Sequence, residues 1–459
     1  MLKDYLTANQ QRHLSELLDL LRIPSVSTDP TRQGEVRRAA EFVVGKLAEL
    51  RFEVQLFETP RHPVVVAHYR VSDSAPTVLI YGHYDVQPPE PLDLWISPPF
   101  EPVVENGLIV ARGASDDKGQ LYAHIKGVEA LLATTGTLPV NLTFLIEGEE
   151  EIGSPNLTPL IEAHREQLAA DIVLISDGAM VAPDTPTITY GLRGLAYVEV
   201  LVRGAGRDLH SGAYGGGAPN AINALAKIIA QLHNEQGRVT VPGFYDAVLE
   251  LTDTEREAFR QVPFDEAHFK REAGLAATPG EAGYSLLERL WARPTLDCNG
   301  IGGGFQGDGA KTVIAAEARA KISCRLVPNQ DPHDITAKLA AHLKRLAPPG
   351  VEVTVTELHG ALPAVLRACA AGPLEAPAVQ VAARALATVF GRPAVFARTG
   401  GTIPVVSTFQ ELLGAQVVMV GLGLESDKVH SPNEKFDLVN YYRGIEVSTA
   451  LLAAFADMP

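Results

Sequence analysis

Residues 141–154 read NLTFLIEGEEEIGS. A β-rich apolar run ends in four acids, Glu147, Glu149, Glu150 and Glu151. A short apolar run of this kind fits a strand buried on both faces, as in a parallel sheet. Carboxylates that close repel and raise one another's pKa. Either water separates them or a cation holds them. Three other apolar runs end in the same way. TVLIYG (77–82) leads into His83-Tyr84-Asp85, and DIVLIS (171–176) leads into Asp177. AQVVMVGLG (415–423) is followed by a short loop and His430. Ligands of open parallel sheets bind beyond the carboxyl ends of the strands, so one site could collect these tips. Asp116 and Asp117, in ARGASDDKG, stand just before another helix signal.

Outward from these strands the pattern alternates. Residues 35–50 and 119–134 have helical periodicity, and 64–70 reads as a further strand. This predicts an α/β fold: a mostly parallel sheet with helices on both faces. From about 190 the grammar changes. Strand signals at 195–204, 295–300, 316–327 and 351–358 interleave with helices at 220–233 and 331–346. Leaving out a charged, helix-rich insertion at 245–291, the order is β-α-β-β-α-β, a ferredoxin-like unit. ACAAGPLEAPAV (368–379) reads as a return linker, after which the helix PAVQVAARALATVF (377–390) and a closing helix at 437–455 restore the first pattern. The expected organisation is a catalytic domain of residues 1–190 and 372–459, with an inserted α+β lid or dimerisation domain of 191–371.

The chain has 459 residues, a formal net charge of −16, 46 % hydrophobic and 20 % charged residues. That suits a globular protein with a large core. The negative balance and the lack of a basic run argue against nucleic acid as a partner. No apolar run is long enough to span a membrane. Three cysteines, Cys298, Cys324 and Cys369, are too few and too scattered for a disulfide framework, so they read as buried, reduced thiols of a cytoplasmic protein. The N-terminus lacks a signal peptide's pattern. Leu14, Leu17, Leu18 and Leu21 mark an amphipathic surface helix there.

Histidines with carboxylates form a ligand set for zinc, with manganese or cobalt as alternatives. One ion would leave too many acids unneutralised, whereas two divalent ions bridged by one carboxylate account for the inventory. His83 and Asp85 are two residues apart on an extended segment and face the same way. Asp85 can therefore accept a hydrogen bond from the ring nitrogen that does not face a metal. Each feature alone has a plainer explanation. The acid run could be a solvated helix start, Asp116 and Asp117 a helix cap, and Asp177-Gly178 a turn.

The motifs GHYDVQP, ARGASDDKG, EGEEEIGS, LISDG, DLHSGAYGG, CRLVPNQ, GGTIP and VHSPNEKF occur together and in this order. Taken together, the chain resembles the dinuclear zinc metallopeptidases that include carnosinase, cytosolic non-specific dipeptidase and aminoacylase, and most of all their dipeptidase branch. The resemblance covers nearly the whole chain. It implies that His83 and Asp177 bind one metal ion and Glu151 and His430 the other. Asp116 bridges both, with a cis peptide bond to Asp117. Glu150 becomes the general base and Asp85 the orienter of His83. His210 becomes a transition-state-binding histidine given to the partner subunit of a homodimer. Thr312 and Arg325 resemble groups that hold the substrate carboxylate, and Gly401 and Thr402 line the pocket. Dipeptidases of this branch often carry Ser where Thr402 stands, and no histidine between 358 and 372 matches a further one of the family.

The function expected is hydrolysis of dipeptides, or of short peptides with a free C-terminus, by water activated at two metal ions. Two other readings share the sequence: an N-acyl-amino-acid amidohydrolase or desuccinylase with the same site, and a metal-binding dimeric scaffold without catalysis. The intact Glu150 speaks against the scaffold.

Overall fold

The computed structural model describes residues 1–366, 376–400, 403 and 405–458. The chain opens with α1 (Leu2–Leu21), α2 (Gln33–Glu49), β1 (Glu53–Phe57), β2 (Val64–Tyr69) and β3 (Thr77–His83). Then come α3 (Lys118–Thr135), β4 (Asn141–Glu147), β5 (Ile172–Ile175) and β6 (Thr187–Leu192). A second unit follows, with β7 (Gly194–Arg203), α4 (Ala221–Ile229), β8 (Thr295–Gly303), β9 (Glu317–Leu326), α5 (Pro332–Arg345) and β10 (Glu352–Ala361). The last elements are α6 (Pro377–Phe390), β11 (Val395–Thr399), β12 (Gln416–Gly421) and α7 (Leu438–Phe455).

The large sheet runs β1-β2-β4-β3-β5-β12-β6, with β11 also paired to β6. Its centre, β4-β3-β5-β12, is parallel throughout. The flanks formed by β1 and β2 on one side and β6 on the other are antiparallel. Every residue of β4 and β5 is buried, which requires cover on both faces and explains why these strands lack polar alternation. Leu142, Phe144, Leu145 and Ile146 are at most 1 % exposed, each such burial stabilising by about 1.5–3 kcal/mol. The parallel strands end on one edge of the sheet, and this places the tips of β3, β4, β5 and β12 side by side.

α3 packs against β3, α1 and α7. A Cβ on Gly119, in its first turn, would lie 1.9 Å from the Ala114 carbonyl oxygen. Only glycine lets the helix start so close under the loop that carries Asp116. Lys118 Nζ, also buried, donates to the carbonyls of Leu20 (3.3 Å) and Ile23 (2.7 Å), which ties the end of α1 to the same loop. The N-terminal helix is therefore more than a surface element: Leu17, Leu20 and Leu21 have no exposure at all.

The second unit has a four-stranded antiparallel sheet in the order β8-β9-β7-β10. This is the ferredoxin-like arrangement expected. Its own apolar cluster joins Val198, Val200, Ile322, Leu225, Ile228 and Leu339. The insertion at 245–291 forms three helices, 253–261, 266–272 and 286–291. Its Phe259, with neighbouring Ala292, buries into the core of the large sheet instead. Ala364 and Leu366 belong to that larger core as well.

Two expectations need correction or limits. Cys324 is buried but Cys298 is exposed. Cys298 lies on the edge strand β8, beside an irregular register between Cys298 and Gly300, where no strand among the described residues covers its outer side. Cys369, Gly401 and Thr402 lie outside the described residues.

Candidate metal centre

β3 delivers His83 at its last position, and the chain stays extended beyond it. Val86 N–H donates to Ser25 O (3.0 Å), and Ser25 Oγ donates to Tyr84 O (2.6 Å). The side chains of His83 and Asp85 thus share a face. His83 Nδ1 lies 3.1 Å from the Asp85 carbonyl oxygen and 3.4 Å from Asp85 Oδ1. Both are acceptors, so the ring proton sits on Nδ1 and the Nε2 lone pair points away from them. Nε2 points at carboxylates: Asp116 Oδ1 at 3.1 Å and Asp177 Oδ2 at 3.8 Å.

The four acids at and just beyond the end of β4 divide their work. Glu147 accepts from Tyr81 Oη (2.7 Å) and Ser154 Oγ (2.8 Å). Glu149 accepts from Thr59 Oγ1 (2.6 Å), the His62 N–H (2.8 Å) and Asn156 Nδ2 (2.7 Å). These two are buried anchors, and they tie the chain before the next turn to Ser154 and Asn156 beyond it. A single turn of 3₁₀-helix, Glu150–Ile152, follows Glu149 and presents Glu150 and Glu151. Asp85 Oδ2 accepts the Glu151 N–H at 3.1 Å, so one carboxylate serves both tips.

The loop before α3 is held by a residue that carried no role in the sequence reading. Glu434, fully buried, accepts from Arg112 Nη1 (2.7 Å) and from the N–H groups of Gly113 (3.1 Å), Ser115 (3.0 Å) and Asp116 (3.1 Å). Asp427 accepts from Ser115 Oγ and from the Leu424 N–H, both at 2.8 Å. The signal was present, since Glu434 lies within VHSPNEKF, but only the folded chain brings that motif against ARGASDDKG. The Asp116–Asp117 peptide bond is cis, as the resemblance implied.

His430 sits at φ +61°, in the left-handed region that a histidine rarely adopts. Its Nε2 lies 2.9 Å from Asp116 Oδ2 and 3.3 Å from Glu151 Oε2. The outcome is two groups of three, His83/Asp116/Asp177 and Asp116/Glu151/His430. Within each group the ligand atoms lie inside 4.8 Å of one another, and both groups share Asp116. All five sequence-derived candidates meet here, and Asp85 lies behind one of them.

The electrostatics test whether cations fit. Burial pushes Asp177 up to about 7, helped by the Asp116 charge. Burial also raises Glu150 well above the usual carboxylate range, with Asp177, Glu151 and Asp116 adding to the effect against the pull of His83. Glu151 is raised by burial and by Asp116. Asp116 moves the other way. Burial opposes its ionisation, but the imidazoles of His430 and His83, 2.9 Å and 3.1 Å from its oxygens, outweigh it. Hydrogen bonding to Asp116 and Glu151 holds His430 up to about 10, against its partial burial. With all four carboxylates ionised the cluster would carry more negative charge than two imidazoles offset, and the raised pKa values of Asp177, Glu150 and Glu151 express that repulsion together with burial. His83 Nε2, buried, has no hydrogen-bond partner among the described residues. An orphaned lone pair facing carboxylate oxygens is what a divalent cation would satisfy.

The other candidates lie in the second unit. His210 is exposed, on the short strand Leu209–His210 that pairs with Val313–Ile314. Its Nδ1 accepts the Gly212 N–H at 3.0 Å, so the neutral ring carries its proton on Nε2 and offers a donor. Thr312 O accepts the Ser211 N–H at 3.1 Å, which sets Thr312 beside His210. Arg325 is elsewhere. It pairs with Leu195 and Thr295, at the end of the sheet where β7 begins. Nearby Arg193 is drawn down to about 10 by burial and the Arg325 charge. β7 and β9 run from that end to the Arg203–Glu317 pair beside the His210 loops. Eight residue steps at roughly 3.3 Å separate Arg325 from Glu317, about 26 Å in all.

Known proteins give the same picture. The family described as peptidase family M20/M25/M40 matches residues 79–454. The Cys-Gly metallodipeptidase dug1 of Schizosaccharomyces pombe is 34 % identical over 464 residues, covering 97 % of this chain and 96 % of its own. The crystal structure of human carnosine dipeptidase 1 superposes with a TM-score of 0.85 at 30 % identity, covering 100 % of this chain and 98 % of that one. An M20 family metallo-carboxypeptidase from Sulfolobus solfataricus gives a TM-score of 0.84 at 34 % identity, with 97 % and 99 % covered.

Proposed function

The chain belongs to peptidase family M20/M25/M40, and from that premise we propose that it hydrolyses dipeptides, or short peptides with a free C-terminus, at a dinuclear metal centre. The observation that carries this is the sharing of Asp116 by two ligand groups, with Glu150, half-buried, next to Glu151 in the chain. His83 and Asp177 would hold one ion, Glu151 and His430 the other, and Asp116 both. Bound there, two divalent cations supply Lewis acidity toward the scissile carbonyl and lower the pKa of a shared water. Zinc is the ion proposed, on the strength of imidazole and carboxylate ligands together.

The protein's own groups do the rest. Glu150 takes the attacking water's proton and passes it to the leaving amine. A pKa raised by burial suits a group that must both accept and release a proton. Asp85 keeps the His83 ring in its metal-binding tautomer. His210 donates through Nε2–H to the oxyanion as it develops, and Arg325 holds the substrate's C-terminal carboxylate by two parallel bonds. Gly401 and Thr402 are proposed to line the same pocket.

The separation of Arg325 from His210 and Thr312 supports a homodimer. A dipeptide cannot span about 26 Å of lid sheet, so the His210–Thr312 end of one chain would serve the partner's centre. The domain division 1–190 with 372–459 and 191–371 is supported by the two apolar cores, with Phe259, Ala292, Ala364 and Leu366 joining the larger. We place the protein in the cytoplasm on its low cysteine count. Among the described residues no helix is long and apolar enough to cross a membrane.

A substrate panel tests the reading. Cys-Gly, β-Ala-His, a tripeptide, C-terminally amidated dipeptides, and N-acetyl and N-succinyl amino acids are compared with zinc present. Turnover of free dipeptides with loss on amidation is expected. Turnover of acylated amino acids alone would move the assignment to the amidohydrolases.

A further inference from the structure

The alternation that places His83 and Asp85 on one face continues for one more step. Gln87 is the next residue on that face. It is half-buried, and its Nε2 donates to Glu151 Oε2 at 2.7 Å and more weakly to Glu151 O at 3.4 Å. The segment leaving β3 therefore carries a ligand candidate for one metal ion, its orienter, and a side chain that grips the ligand candidate for the other. Asp85 already holds the backbone of Glu151. Gln87 holds its carboxylate.

We propose that Gln87 is a positioning residue that sets the affinity of the Glu151/His430 half of the centre and leaves the His83/Asp177 half alone. The inference rests on the dinuclear reading above. A glutamate side chain has several rotamers to lose when it binds an ion. Glu151 reaches its place already fixed, because Gln87 takes one lone pair of Oε2 and so sets the plane of the carboxylate. Its other lone pairs stay turned toward His430 and Asp116. An uncharged donor suits this place. A lysine or arginine would cancel the charge that the cation needs, whereas an amide steers the oxygen and leaves its charge available. Among the described residues Gln87 is the one uncharged side chain that donates to this carboxylate.

Replacement by methionine keeps nearly the same length and volume and removes the donor. Protein stripped of metal is titrated with zinc by calorimetry and by chelator competition, with metal content counted after dialysis. For Gln87→Met the second ion should bind about 10–100-fold more weakly, and the first with an unchanged constant, as expected for a lost outer hydrogen bond. Thermal melting of the metal-free variant should match that of the unsubstituted protein, which separates positioning from a general packing role. Native constants for both ions in Gln87→Met would overturn the proposal. So would equal weakening of both, or a lowered metal-free melting point with both weakened. If the unsubstituted protein itself binds fewer than two ions per chain, the dinuclear reading beneath the proposal fails instead.

Discussion

Replacing Glu434 with glutamine tests how the bridging aspartate is held. The carboxylate faces donors only, two at each oxygen. Arg112 Nη1 and the Gly113 N–H meet Oε2, and the N–H groups of Ser115 and Asp116 meet Oε1. Burial pushes Glu434 up to about 7, with the Asp116 charge adding to it and Arg112 and the N–H groups of Gly113 and Ser115 countering it, so the experiment belongs at pH 8. A glutamine must turn its NH₂ toward one of the two donor pairs. Two hydrogen bonds to a charged acceptor are then lost, each contributing about 1.5–3 kcal/mol, and Arg112 remains buried without its counter-charge. A cost of about 3–5 kcal/mol is expected, as for other broken buried pairs. Because Asp116 N–H is among the donors, the loss should reach the metal centre as well as the fold. Urea unfolding at pH 8 and zinc titration of the folded protein are the assays. Unfolding within about 0.5 kcal/mol of the unsubstituted protein, the range of ordinary surface changes, with unaltered zinc affinity, would refute the reasoning.

Glu150→Gln should lower turnover by about 10²–10⁴-fold, the scale of general acid–base catalysis, while both metal ions still bind; undiminished turnover would remove Glu150 from its role. Mixing that variant with His210→Ala should restore part of the activity in heterodimers if the histidine acts across an interface. No recovery despite confirmed subunit exchange would count against action on the partner. His124 makes a separate prediction. It is buried between Ser176 Oγ (2.8 Å) and Ser448 Oγ (3.1 Å), and burial lowers it to about 4. The unfolded chain takes up that proton near pH 6.5 and the folded chain does not, so stability falls as pH drops from about 6.5 to about 4, by about 3 kcal/mol in all. Denaturation of His124→Gln across this window should show a flatter pH slope than the unsubstituted protein, and an identical slope would contradict the assignment.

Much of the centre was legible because its residues sit at the ends of elements that announce themselves. β4 and β5 have no polar alternation, so their ends are plain, and the charged residues gathered there stand out as candidates for a site. β6 (TITYGL) and β11 (VFART) were missed, because short mixed runs become strands only when long-range partners complete their hydrogen bonds. The division of labour among the four glutamates was also out of reach. That Glu147 and Glu149 anchor while Glu150 and Glu151 face the site depends on Tyr81, Thr59 and Asn156, which the fold delivers from distant positions. Glu434 is hidden in the same way. Cys298 was misplaced because sequence does not say which strand of the lid sheet lies at its edge.

Diffraction from crystals soaked in zinc, with anomalous data on both sides of the zinc edge, bears most directly on the whole account. Two peaks per chain are predicted, about 3.5–4 Å apart, one against His83 and Asp177, the other against Glu151 and His430, with Asp116 touching both. A lone peak, or a pair that Asp116 does not join, would contradict it.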